Sequence, residues 1–141
     1  MNFNKTKNFI FPNWKSLHRL NKSIIESINH IAYIDIYAND LAKVAYLKKS
    51  TLYPVDSIIV KPLYPKKKRK NISRLVIMIK MHNGYDVKNN NWWYGVYDKT
   101  GNKVFHEGRI KSCIKCHEIA KETDYLFSET IIDKISLDSD F

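Results

Sequence analysis

Two cysteines are all that this 141-residue chain contains, and there is no second Cys-x-x-Cys pair. A zinc site of the usual kind, with four ligands in paired clusters, is therefore not expected. No apolar run is long enough to span a bilayer, which excludes a transmembrane helix. There is no internal repeat and no linker, so one domain with its own core is expected. Acidic residues are scarce: 14 Asp and Glu stand against 24 Lys and Arg, for a formal net charge of +10. No recognised nucleic-acid-binding motif accompanies that excess, so charge alone makes no case for DNA or RNA. What remains is a composition 44% hydrophobic and 13% aromatic, which suits a folded chain rather than a disordered one.

The two cysteines stand together, in Cys113-Ile114-Lys115-Cys116-His117. This spacing lets two thiols add to the two vinyl groups of one haem. The next residue, His117, then lies beneath the iron as an axial ligand. The expected cofactor is one covalently attached haem c per chain, held by Cys113, Cys116 and His117. Haem does chemistry that no side chain can do, which leaves the protein ligation, access and electrostatics. Rival readings of these residues are weaker in their setting. His82 and His106 complete a zinc site only by accident of folding. A thioredoxin-like redox pair needs a βαβ context, whereas the segment before Cys113 reads as a hairpin. A disulfide across two intervening residues is rare.

The pattern along the chain predicts an α+β fold dominated by β structure: an antiparallel sheet of about five strands with short helices and the haem packed against the sheet. Residues 1–22 read as an N-terminal arm, irregular or partly helical, and 23–141 as a single haem-binding domain with a polar tail after Phe127. Ile31 to Tyr37 is β-branched and aromatic and reads as one strand. Asn39 and Asp40 suit a helix N-cap, with Leu41, Val44, Ala45 and Leu47 forming the apolar face of a helix to Lys49. Ser57 to Lys61 is a short strand stopped by Pro62, and Ser73 to Met81 a central one. Trp92 to Tyr97 and Lys103 to His106 flank Asp98-Lys99-Thr100-Gly101, a hairpin signal. The C-x-x-C-H run opens a short helix to about Lys121.

Much of the positive charge lies in Lys66-Lys67-Lys68-Arg69-Lys70. It reads either as a solvated loop between strands or as a docking patch for an acidic redox partner, the loop being the simpler account. Haem c is assembled in an oxidising compartment, so a periplasmic or otherwise exported protein is expected, its signal peptide removed. Asn8 to Phe11 is too short for the apolar core of such a signal.

Four pieces of Tyr53 to Phe127, in order, resemble the cytochrome P-460 family, which includes the cytochromes c′-beta. They are the strand Pro54 to Lys61, the aromatic Asn91-Trp92-Trp93-Tyr94, the haem motif, and Lys121 to Phe127. Tyr37 to Lys49 is a weaker fifth. The resemblance implies an antiparallel β fold, often dimeric, around one pentacoordinate haem. In the P-460 cytochromes a lysine is joined to the porphyrin and hydroxylamine is oxidised, with electrons passed to a partner cytochrome. In the c′-beta cytochromes that link is absent and an apolar pocket binds nitric oxide or carbon monoxide. Lys61 is the residue matching the cross-linked lysine. Ser57, Ile59 and Lys61 share one strand face, and burial there would leave a neutral, nucleophilic amine. The bland reading is a strand-end lysine reaching into water. The family commonly has glutamate after that lysine; here Pro62 follows, which removes a carboxylate and a backbone N–H.

The iron's sixth position decides between electron transfer and chemistry. Met78 and Met81 are candidate ligands, with core filling as their alternative role. No Met lies after the haem motif, where small class I cytochromes carry theirs. Bis-histidine ligation would draw on His18, His30, His82 or His106. An open site is the reading the resemblance favours. Hydroxylamine oxidation needs a proton acceptor, for which Glu107 is the first candidate and His106 the second. Tyr37, Trp92, Trp93 and Tyr94 are candidate haem walls, each equally at home in a core. The readings in competition are thus an enzyme, a gas-binding protein and a plain electron carrier.

Overall fold

The structure, a computed structural model, describes residues 9–128. The first eight residues and the polar tail beyond 128 lie outside the described residues.

Among the described residues eight antiparallel strands form one sheet: β1 His18–Arg19, β2 Ile25–Ser27, β3 Ala32–Ile34, β4 Tyr37–Ala38, β5 Ile58–Tyr64, β6 Arg74–Lys80, β7 Trp92–Tyr97 and β8 Val104–Gly108. The main path runs β1-β4-β5-β6-β7-β8, with β2 on β3 and β3 on β5. Among the described residues two α-helices accompany it, α1 Asp40–Leu47 and α2 Lys111–His117. The β-dominated antiparallel architecture is the expected one, and the short strands β1 to β4 raise the count above five. β5 and β6 are buried along almost their whole length because both faces of the sheet are covered. On the inner face Ile59, Leu63, Val76, Met78, Trp92 and Tyr94 form one core with Tyr46 of α1. On the outer face Ile58, Val60, Leu75, Ile77, Ile79 and Trp93 form a second. The period of two sorts the strand residues cleanly between these cores.

Residues 9–22 do not stand apart from the domain. Phe9 and Phe11 lie against Tyr97, Trp14 packs edge-on against Tyr37, and β1 pairs with β4. Phe11 also sits where a side chain on Gly101 would go, 2.9 Å from an added Cβ, and Gly101 has φ +79°, so the hairpin requires glycine there.

Three sequence expectations are corrected. Pro62 does not stop β5, which continues to Tyr64. Instead, Pro62 divides the neighbouring strand. Ile58 directs its carbonyl to the β4 side, where it accepts from Asn39 N–H. By alternation Pro62 faces the same side, where it has no N–H to donate. Opposite it the chain leaves the ladder between β3 and β4, so Ile31–Tyr37 is two strands rather than one. The buried Asp35 at that break accepts from Asn21, Tyr64 and Arg69. Finally, Asn39 caps α1 as expected, accepting from Ala42 N–H, but the buried face is Ala42, Ala45 and Tyr46. Leu41 and Val44 are exposed. The Asn39 side chain also accepts from Ile58 N–H and donates to the Asp56 carbonyl, and this clamp sets which face of α1 meets the sheet.

Candidate functional site

β8 ends at Gly108, and α2 turns back beneath the inner face of the sheet. Cys113, Cys116 and His117 fall at the i, i+3 and i+4 positions that share one side of a helix. Both thiols are unpaired and partly buried. His117 is 5% exposed. Its Nδ1–H donates to the Tyr125 carbonyl at 2.6 Å, and Tyr94 and Phe127 lie against the ring. Burial, reinforced by Lys61, lowers its pKa to about 3, so the imidazole is neutral. With Nδ1 engaged, Nε2 is left to bind a metal.

Lys61 comes to the same place from β5. A row runs across the sheet from Lys61 to Val76, Val96 and His106, all on the inner face. Lys61 is 7% exposed, and no carboxylate or hydrogen-bond acceptor meets its amine among the described residues. Desolvation lowers its pKa to about 8, against a smaller opposing pull from Cys116 and Cys113. About a tenth of the amine is then neutral at pH 7, far more than for an ordinary lysine.

Two adjoining cavities meet at His117, Cys116 and His30. One, of about 280 Å³, is walled by Ile25, Ile34, Ile36, Lys61, Leu126 and Phe127. The other, of about 300 Å³, is walled by Leu63, Arg74, Val76, Tyr94, His106 and Cys113. The walls are largely apolar, with a few convergent polar groups, which is the make-up of a site for a flat organic cofactor.

The structure thus gathers Lys61, Cys113, Cys116, His117 and His106. It does not bring Glu107 with them. Glu107 pairs with Gly95, whose neighbours Trp93, Tyr97 and Ile77 belong to the outer face, and it shares a hydrogen bond with Tyr97. Met78 is sealed in the inner core and Met81 in the outer one, and neither lines these two cavities. His18 bonds Asp40, and His82 lies against Tyr85. Of the four candidate walls only Tyr94 reaches the space. Trp92 sits beneath it beside Tyr53, while Trp93 and Tyr37 face the outer core.

Two residues of the cavity carried no site role beyond a share in bis-histidine ligation. His30 lines both cavities. Its Nδ1 meets Ser27 Oγ at 2.8 Å, and burial with Lys61 and Arg74 nearby lowers its pKa to about 4. Ile31, which follows, has φ 51°, an unusual conformation for a β-branched residue. Arg74 lines the mouth opposite Leu63, a cation suited to an anionic substituent of a bound cofactor. Neither had a sequence signal, because no local motif surrounds them.

A neutral histidine with one free nitrogen, two free thiols, an unpaired buried amine and an apolar slot stand together under the β-sheet. Among the described residues no three His, Cys, Asp or Glu side chains group to hold a metal ion. The Cytochrome P460 family model matches residues 11–128, and the chain belongs to that family. It is a haem protein of that family. No curated protein matches the chain. No helix among the described residues is long and apolar enough to cross a membrane.

Proposed function

We propose that the chain carries one covalent haem c and oxidises hydroxylamine in the manner of the P-460 cytochromes. The observation that carries this reading is Lys61: a buried amine without a counterion, opening on the same space as Cys113, Cys116 and His117. The thiols would tether the haem at its vinyl groups, His117 would ligate the iron, and Arg74 would meet a propionate. Haem bound there would supply the redox chemistry that no side chain provides. Lys61, whose amine opens on that space, would be the residue to join the porphyrin, as the P-460 resemblance implies. That N–C bond would replace an N–H and a C–H, and a peroxide or dioxygen would have to take up the two electrons and two protons. The absence of methionine from both cavities supports an open site. The proton acceptor role falls to His30 and His106, which line the space, rather than to Glu107.

The reading includes a periplasmic or exported location, a homodimer and a partner cytochrome as electron acceptor. The run Lys66 to Lys70 is solvent-exposed, pinned where Arg69 bonds Asp35 at 2.8 Å, and its free lysines suit an acidic acceptor.

The apolar wall of Ile25, Ile34, Ile36 and Leu126 supports a second reading, a c′-beta protein that binds nitric oxide or carbon monoxide without turnover. The absorption spectrum of the reduced, haem-loaded protein separates the two. A Soret band far to the red, returned to an ordinary position by Lys61→Ala, accompanies hydroxylamine turnover in the first. An ordinary high-spin band in the wild type leaves the second. Sharp low-spin bands would sink both and leave an electron carrier.

A further inference from the structure

Behind His117 lies a second polar cluster, built around a buried carboxylate. Asp124 is fully buried. Its Oδ2 receives Lys80 Nζ at 2.6 Å and Tyr53 N–H at 2.6 Å. Its Oδ1 receives Asn90 Nδ2 at 2.8 Å. The indole N–H of Trp92 donates to the Asp124 backbone carbonyl at 2.9 Å and reaches Oδ1 at 3.2 Å. Lys80, also buried, donates in addition to the Asn90 carbonyl at 2.7 Å and lies over the Trp92 ring. Every lone pair and proton of the ion pair thus has a partner, the condition under which a buried pair holds its geometry.

That effort is spent on a strained piece of chain. Asp124 and Tyr125 have φ 54° and 69°, two consecutive residues in a region that L side chains rarely occupy. The surrounding bonds hold them there: Tyr125 N–H donates to the Ala120 carbonyl and Leu126 N–H to the Thr123 carbonyl. The product of this turn is one carbonyl, that of Tyr125, aimed at His117 Nδ1.

We propose that Asp124, clamped by Lys80 and Trp92, is the positioning residue that aims the Tyr125 carbonyl at His117 and thereby sets how strongly the proximal imidazole donates to the haem iron. The proposal rests on His117 being the iron ligand. An Nδ1–H held in a short bond gives the imidazole more anionic character, which strengthens the iron–histidine bond and favours ferric over ferrous iron. Lys80 lies on the sheet, Asp124 after α2, so the ligand is tuned from the sheet and not from its own helix.

The test compares haem-loaded wild type with Asp124→Asn and with Trp92→Phe, which keeps an aromatic ring but removes the indole N–H together with its pyrrole ring. The readouts are the iron–histidine stretching band of the ferrous protein and the midpoint potential. Asp124→Asn is expected to shift the band down and the potential up, with Trp92→Phe giving a smaller shift of the same sign. A destabilising control on the outer face, Gly95→Ala, is expected to move neither. If Asp124→Asn does not fold, Trp92→Phe alone decides. Variants that lose thermal stability with band and potential unmoved overturn the proposal and leave the cluster a structural one. A wild type without an iron–histidine band overturns the haem-ligand reading itself, and the proposal with it.

Discussion

The inner face of the sheet buries two lysines, and it treats them in opposite ways. Lys61 on β5 and Lys80 on β6 lie two cross-strand rows apart, roughly 13 Å by strand rise. Lys80 is 3% exposed and fully met: a carboxylate, a carbonyl and an indole face surround its amine. Burial lowers its pKa, but Asp124 pulls in the other direction. Lys61 has the burial without the carboxylate, and its amine opens on the cavity. A fold that pairs one lysine so thoroughly shows that a carboxylate can be placed on this face. An unpaired amine beside two thiols and a neutral histidine is destabilising by itself, which fits the cross-linking role proposed for Lys61.

The comparison is broken most directly by replacing each lysine with methionine in the haem-free chain. Lys80→Met leaves Asp124 buried without its cation and is expected to cost about 3–5 kcal/mol in denaturant unfolding. Lys61→Met is expected to do the reverse. Its pKa falls from 10.5 in the unfolded chain to about 8 in the folded one, a penalty of up to about 3 kcal/mol at pH 7 that the substitution removes. The pH dependence follows. Between pH 8 and 10.5 the unfolded chain keeps the Lys61 proton that the folded chain has released. Unfolding therefore takes up a proton, and wild-type stability rises through that window relative to Lys61→Met. Loss of stability in both variants would sink the comparison.

The parts of this arrangement that the sequence discloses are those with a local cause. The C-x-x-C-H run sets its own helical geometry, the long strands β5 and β6 show in continuous apolar stretches, and Asn39 caps α1 from one residue away. The parts that it conceals depend on partners distant in the chain. Nothing near Ile34 indicates that Asp35 and Ile36 leave the ladder, because the cause is Pro62 on another strand. The helical pattern of α1 offers two overlapping stripes, and the Asn39 clamp to β5 selects Ala42, Ala45 and Tyr46 over Leu41 and Val44. Lys80 reads as one more strand residue until Asp124 arrives from beyond α2. For β8 the difficulty is register: a slip of one residue exchanges His106 and Glu107 between the cavity and the outer core.

Smaller effects sharpen the contrast between the two faces. Gly95 lies on the outer face, where an added Cβ would stand 2.8 Å from the Tyr97 ring and 2.9 Å from Trp93. Gly95→Ala is expected to cost about 1–3 kcal/mol by overpacking and to leave the haem spectrum as it was.

Glu107→Gln makes the smallest change and asks the sharpest question about the face. The glutamine keeps the shape and an acceptor for Tyr97, and it touches neither cavity. Hydroxylamine turnover and its pH profile are expected to stay at wild-type values, while His30→Ala and His106→Ala, acting from inside the cavity, lower the rate. A fall in turnover for Glu107→Gln alone, with stability unchanged, would mean that protons leave through the sheet to its outer face. Alternation along β8 would then no longer separate a reactive face from a structural one.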